Sequence, residues 1–170
     1  EAIRKLELEG LVLMIPRKGA EVADITEKSL RDVLEVRKAL EELAVQLACE
    51  KITEAEIEEL KKAAEDFKKI LKSNDVTQIA EADVHFHDII YMATDNQKLI
   101  QLLSNLREQM YRYRVEYLKR ESVYPKLIAE HEEIIRFIQE KNKTQAAEMV
   151  SRHIDNQVDA VMAVIRNKQN

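Results

Sequence analysis

The chain has 170 residues, 45% hydrophobic and 35% charged, with a formal net charge of −5. Those values suit one folded helical domain with a core and a small appendage, and exclude disordered and membrane-spanning classes, since no apolar run approaches the ~20 residues of a span. An acidic surface is a poor source of phosphate contacts, so any DNA-binding charge is expected mostly upstream of residue 1. The single Cys49 excludes an internal disulfide, and no signal peptide opens the chain, so a reducing, cytoplasmic setting is expected. The chain has two Gly and two Pro, and Gly10, Pro16 and Gly19 all fall near its beginning, which leaves long helices as the expectation thereafter.

In chain order, EAIRKLELEG (1–10) reads as the end of a helix stopped by Gly10. Because Glu1 already lies within that helical pattern, the natural start is expected to lie upstream. LVLMI (11–15) is β-prone, PRKG (16–19) is a turn signal, and AEVAD (20–24) can return as a second strand, with Arg17 and Lys18 at the tip. Six helices follow, at about Glu27–Glu50, Thr53–Ser73, Asp75–Thr94, Asn96–Arg120, Val123–Lys141 and Lys143–Lys168. TEAE at Thr53–Glu56 is a capping box, and Pro125 sits in a first turn, where its missing N–H costs nothing. The short connections predict antiparallel packing of successive helices, and the whole is an all-α bundle of about six helices preceded by a helix end and a β-hairpin. Residues 1–24 and 25–170 are the expected units.

Polar residues on apolar stripes carry the functional signal. In the third helix of the bundle, Asp83 and His87 interrupt Val76, Ile79, Ala80, Ile90 and Tyr91; being four apart, they share one face. His85 lies about 200° around the helix from Asp83 and is not expected to join them. His131 interrupts Leu127, Ile128, Ile134, Ile135 and Ile138, and His153 interrupts Ala146, Met149, Val150 and Val161, with Gln157 on the same line. One inward histidine is ordinarily a satisfied core residue. Three of the four histidines together with an inward carboxylate are a different matter, because a buried carboxylate needs a cation, and imidazole with carboxylate suits zinc, nickel or manganese. Arg37, among Val33, Leu34, Leu40 and Ala44, and Arg114, between Met110 and Tyr117, also break stripes. Each reads equally as a structural residue, either a buried ion pair such as Arg37 with Glu41 or a snorkelling surface arginine, or as a bidentate clamp for a small carboxylate. Arg112 falls with Asn105, Gln109 and Glu116 on a solvated face, while tyrosines 111, 113, 117 and 124 read as core and pocket wall, and Cys49 as inert packing.

R-x-x-L-E (Arg37–Glu41), D-x-x-x-H (Asp83–His87) followed by Asn96, E-H-x-x-I (Glu130–Ile134) and A-A-x-x-x-x-x-H (Ala146–His153) together resemble the FCD effector domain of the FadR subfamily of GntR-type transcription regulators. RKLELEGLVLMIPRKGAEVA (4–23) resembles the end of the recognition helix and the wing of their winged-helix domain. The resemblance implies a helical bundle with a central cavity, in which Asp83, His87, His131 and His153 bind one divalent metal per chain. Zinc is the first expectation, with nickel and manganese as alternatives. It also implies a small carboxylate effector, for which Arg37, Arg114, Asn96 and Gln157 are the expected contacts. The fatty-acyl-CoA-sensing relatives lack this metal set, so an acyl-CoA effector is not expected. Arg4, Arg17 and Lys18 are the expected DNA contacts, made by the full-length protein as a homodimer on a two-fold operator, with no membrane partner. The implied function is that of an effector-responsive repressor, not an enzyme.

Two other readings compete. A metal-dependent hydrolase would use the His87–Asp88 pair, but H-E-x-x-H is absent and no histidine precedes His85 to complete an HD-type site. A plain helical interaction module would treat all the inward histidines as core.

Overall fold

The computed structural model describes residues 1–8, 10–23 and 27–169. The boundary expected at residues 24 and 25 lies outside these, as do the side chains of Gln109 and Arg112.

Helix α1 (Ala2–Leu8) ends in a Schellman turn: Gly10 donates to Glu7 and Leu11 to Leu6, both at 2.9 Å, with Gly10 at φ 69°. Strands β1 (Val12–Ile15) and β2 (Gly19–Val22) pair antiparallel, Val12 opposite Val22 and Ile15 opposite Gly19. The second strand thus begins one residue earlier than its composition suggests, because Gly19 pairs with Ile15. Lys18 N–H closes a turn onto the Ile15 carbonyl, with Pro16 in its first central position and Arg17 in the second at φ 68°. That left-handed position normally falls to glycine.

Six helices form the bundle: α2 (Glu27–Lys51), α3 (Glu54–Ile70), α4 (Val76–Met92), α5 (Gln97–Leu118), α6 (Tyr124–Gln139) and α7 (Lys143–Gln169). Thr53 and Glu56 form the expected reciprocal capping box. Asp75 caps α4 by accepting from Thr77 and Gln78, and Pro125 occupies the first turn of α6. With so few glycines available, Asn74, Asp95 and Lys141 take the left-handed positions at the breaks after α3, α4 and α6.

Packing departs from simple succession. Helix α2 lies chiefly against α7, with further contacts to α5, α4 and α6, while α3 packs on α4 and α6. The reason is in its inner face: Leu30, Leu34, Arg37, Glu41, Ala44, Val45 and Ala48 are all buried. That face is long enough to serve as the central element of the bundle rather than as one half of a hairpin with α3. No helix is long and apolar enough to cross a membrane among the described residues.

Candidate metal and anion centre

Helix α4 supplies Asp83 and His87, α6 supplies His131 and α7 supplies His153, all at most 2% exposed. One ligand nitrogen from each histidine lies within 4.8 Å of the other two. Asp83 Oδ1 is 3.3 Å from His131 Nε2 and 4.0 Å from His87 Nε2, and Asp83 Oδ2 is 3.3 Å from Arg114 Nε of α5. The four residues that interrupt the apolar stripes therefore converge at one point. His85, on the same helix, is exposed, as its angular position requires.

The outward nitrogens set the orientation. His153 Nδ1 lies 2.7 Å from Glu130 Oε2, and His87 Nδ1 lies 3.6 Å from Glu41 Oε2. With the proton on Nδ1 in each ring, the Nε2 lone pairs face the centre. His131 is fixed by stacking on Phe86, ring centroids 4.0 Å apart, with Phe67 at 5.2 Å. Gln157 bridges the charged groups, its Nε2 donating to His153 Nε2 at 2.9 Å and its Oε1 accepting from Arg37 Nη1 at 2.9 Å. Arg37 Nε is also ion-paired with Glu41, and Asn156 donates to Glu130 Oε1.

Several polar atoms are left over. Both oxygens of Asp83, His87 Nε2, both nitrogens of His131 and Arg37 Nη2 are buried without a hydrogen-bond partner. Natively folded chains rarely tolerate this without a ligand, because each orphan forfeits its hydration. Burial opposes the ionised form of Asp83, yet Arg114, with help from His131 and His87, holds its carboxyl below the usual range. Burial likewise opposes ionised Glu41, but Arg37, and after it His87, bring that carboxyl down to about 2. Burial drives His87 and His131 the other way, below the ordinary 6.5, against the pull of neighbouring carboxylates. The imidazoles aside, the buried charges among the described residues are two guanidiniums, Arg37 and Arg114, against three carboxylates, Glu41, Asp83 and Glu130. A divalent cation would turn that excess of negative charge into an excess of positive charge. A carboxylate beside it would then restore balance. The donor set fits both.

Two residues of this centre escaped the sequence reading in these roles: Glu130, and Glu41 as a partner of His87. Tyr91, also buried, hydrogen-bonds Glu41. Asn96, expected among the effector contacts, instead caps α5, its Oδ1 accepting from Leu99 N–H at 3.1 Å. Tyr113 and Tyr117 are buried pocket wall, but Tyr111 is 36% exposed and belongs to the surface. Asp88, the second half of the candidate HD pair, is held 2.5 Å from Arg107 Nη1. Arg4, Arg17 and Lys18 are exposed. Cys49 is buried, and burial pushes its thiol up to about 11, which accords with inert packing.

Fold and centre together define a class of protein: a helical bundle with a multiply charged core, preceded by a helix–hairpin unit. The sequence matches the FCD domain over residues 32–156, and the chain belongs to that family of GntR-type transcription regulators. It is 26% identical over 166 residues to the HTH-type transcriptional regulator YdhC of Bacillus subtilis, covering 97% of this chain and 74% of that protein. It is 25% identical over 166 residues to the gluconate operon transcriptional repressor of the same organism, covering 95% of this chain and 68% of the repressor. Among solved structures, Escherichia coli McbR/YncC superposes with a TM-score of 0.86 at 19% identity, covering 95% of this chain and 82% of that one. The metal-free FCD domain of TM0439 superposes with a TM-score of 0.69 at 21% identity, covering 85% of this chain and 99% of that domain. These two likenesses are likenesses of fold.

Proposed function

We propose that this chain is the sensing part of a transcription repressor, in which Asp83, His87, His131 and His153 hold one divalent metal, and Arg37 and Arg114 help bind a small organic acid beside it. The observation that carries the reading is the set of orphaned buried atoms: carboxylate oxygens and imidazole nitrogens aimed at one another, next to an unpartnered guanidinium nitrogen of Arg37. The first group calls for a cation and the last for an anion. A bound metal would supply fixed positive charge against which a carboxylate is held. Zinc is the expected ion, with nickel and manganese as alternatives on the same ligand types. Gln157, hydrogen-bonded to Arg37 and, without metal, to His153 Nε2, would yield that nitrogen to the ion and so couples the two halves of the site.

Residues 1–24 are read as the C-terminal part of a winged-helix DNA-binding domain, and 25–170 as the sensing domain. Arg17 supports this reading: a long basic side chain is kept at a turn position whose positive φ glycine would occupy without cost. With Arg4 and Lys18 it would contact DNA in the full-length protein, working as a cytoplasmic homodimer on a two-fold operator. Arg37 and Glu41 stand on α2, the first helix after the hairpin. A ligand that repositions them biases the element nearest in sequence to the DNA-binding unit, which is how differential affinity becomes regulation. In regulators resembling this one, effector usually releases DNA, and that is the expected direction.

The test is elemental analysis of the purified chain beside an Asp83→Ala/His153→Ala double variant. About one metal per chain in the parent and none in the variant is expected for a single shared site. Failure of the parent to take up zinc or nickel after incubation would reduce the histidines to core residues.

A further inference from the structure

The centre is buried, its four candidate ligands at most 2% exposed. The cavity lined by Arg37, His87 and Arg114 measures about 10 Å³, and so does its neighbour between Tyr113, Tyr117 and Gln157. Each has room for about one water molecule, far less than a carboxylate ligand needs. An acid can therefore arrive only if part of the wall moves. Val84 and Asp88 of α4 and Leu103, Leu106 and Arg107 of α5 form one wall of the first cavity. Beyond that wall lies an open depression of about 330 Å³ lined by Glu81, Val84, Arg107 and Tyr111. Val84 and Arg107 line both spaces, so among the described residues the two meet between α4 and α5. Across this junction stands one ion pair, Asp88 Oδ2 to Arg107 Nη1 at 2.5 Å, each side chain about a third exposed (36% and 32%).

Resting on the reading above, we propose that acid ligands enter between α4 and α5, that the Asp88–Arg107 pair is the latch on this entrance, and that a ligand bearing two carboxylates exchanges with Asp88 on Arg107 as it settles. Three physical points favour this. An ion pair so exposed holds only weakly, so it can open on the timescale of binding. With a divalent ion in place the centre would carry an excess of positive charge despite Glu41, Asp83 and Glu130, and the opened Arg107 guanidinium facing the same cavity adds to it, which draws anions rather than neutral solutes. Finally, one carboxylate suffices to balance a divalent ion at the buried centre, whereas a second needs a cation of its own, and Arg107 is the cation at the mouth.

The entrance can be tested on the metal-free chain by the rate at which diethyl pyrocarbonate modifies His87, followed by peptide mass spectrometry. Exposed His85 on the same helix serves as the internal reference. Asp88→Asn and Arg107→Gln should each speed modification of His87 by roughly 2- to 5-fold, the factor by which a surface pair of this kind holds a closed state. Lys38→Ala, which removes the Lys38–Asp155 surface pair between α2 and α7, should leave the rate unchanged. An unaltered His87 rate in both latch variants, or an equal rise in Lys38→Ala, overturns the proposal. On the zinc-loaded chain, succinate should raise the melting temperature more than propionate, and Arg107→Gln should abolish that difference. A difference that survives in Arg107→Gln removes Arg107 as a ligand contact. Failure to load zinc would sink the metal-site reading instead, while the modification rates still decide the entrance.

Discussion

Glu130 makes two contacts at the edge of the centre, to His153 Nδ1 and to Asn156, and is 4% exposed. Its carboxylate fixes the His153 ring with Nε2 inward. Glu130→Gln keeps the size but removes the charge, and should lower zinc affinity about 10- to 100-fold without abolishing uptake, as measured by competition with a chromophoric chelator. An affinity within twofold of the parent would mean that His153 needs no carboxylate behind it. Sequence periodicity located the inward Asp83, His87, His131, His153, Arg37, Arg114 and Gln157 because each interrupts a stripe of apolar neighbours. Glu130 lies on the stripe of Leu127 and Ile134 just as His131 does, but it is followed closely by Glu132 and Glu133, so it merges with an acidic run that reads as solvated. Its inward turn depends on a partner 23 residues away on another helix, which no local pattern records. Glu41 is similar: its pairing with Arg37 is visible in the i, i+4 spacing, but its approach to His87 depends on how α2 and α4 pack.

Element boundaries were legible wherever a cap carries its own side-chain signature. The Thr53–Glu56 box, Asp75 and Pro125 mark starts that the structure reproduces. Asn96 shows where that legibility ends, since the same residue type at the same place can start a helix or contact a ligand, and only geometry separates the two. As the cap of α5, Asn96→Ala should cost about 1 kcal/mol of stability, and Asn96→Asp, which caps equally well, should cost far less. Urea unfolding with an unchanged m-value would read this out. Zinc content should stay at the parental level in both variants. A loss of acid binding in Asn96→Asp at full stability would return Asn96 to the effector site. The partners of α2 were not legible at all. Short connections predict packing between sequence neighbours, yet the buried polar pair Arg37 and Glu41 can be satisfied only among α4 and α7, and α2 is placed accordingly.

At the scale of the molecule, the price of keeping a charged centre is a pH dependence with a definite sign. His87 and His131 are held neutral below their ordinary 6.5 by burial. The unfolded chain therefore binds more protons than the folded one once pH falls below about 6.5, and stability falls with it by at most about 1.4 kcal/mol per pH unit for each histidine. Asp83 and Glu41, both held low chiefly by their guanidinium partners against the cost of burial, add a second loss in the carboxylate range, where the unfolded chain again takes up protons first. Both effects act in one direction, so the metal-free chain should be most stable near neutral pH and weaken continuously as it is acidified. Urea unfolding of the metal-free chain at pH 8, 7, 6 and 5 should show a flat upper portion and a decline beginning near pH 6.5. His131→Phe, which keeps the stack on Phe86 and removes one titrating group, should flatten that decline even if it shifts the absolute stability. A parent whose stability is constant from pH 8 to pH 5 would mean that these imidazoles reach solvent or a proton in the folded state. Burial of the centre opposes that, because the same burial that leaves their nitrogens unpartnered is what disfavours their protonation.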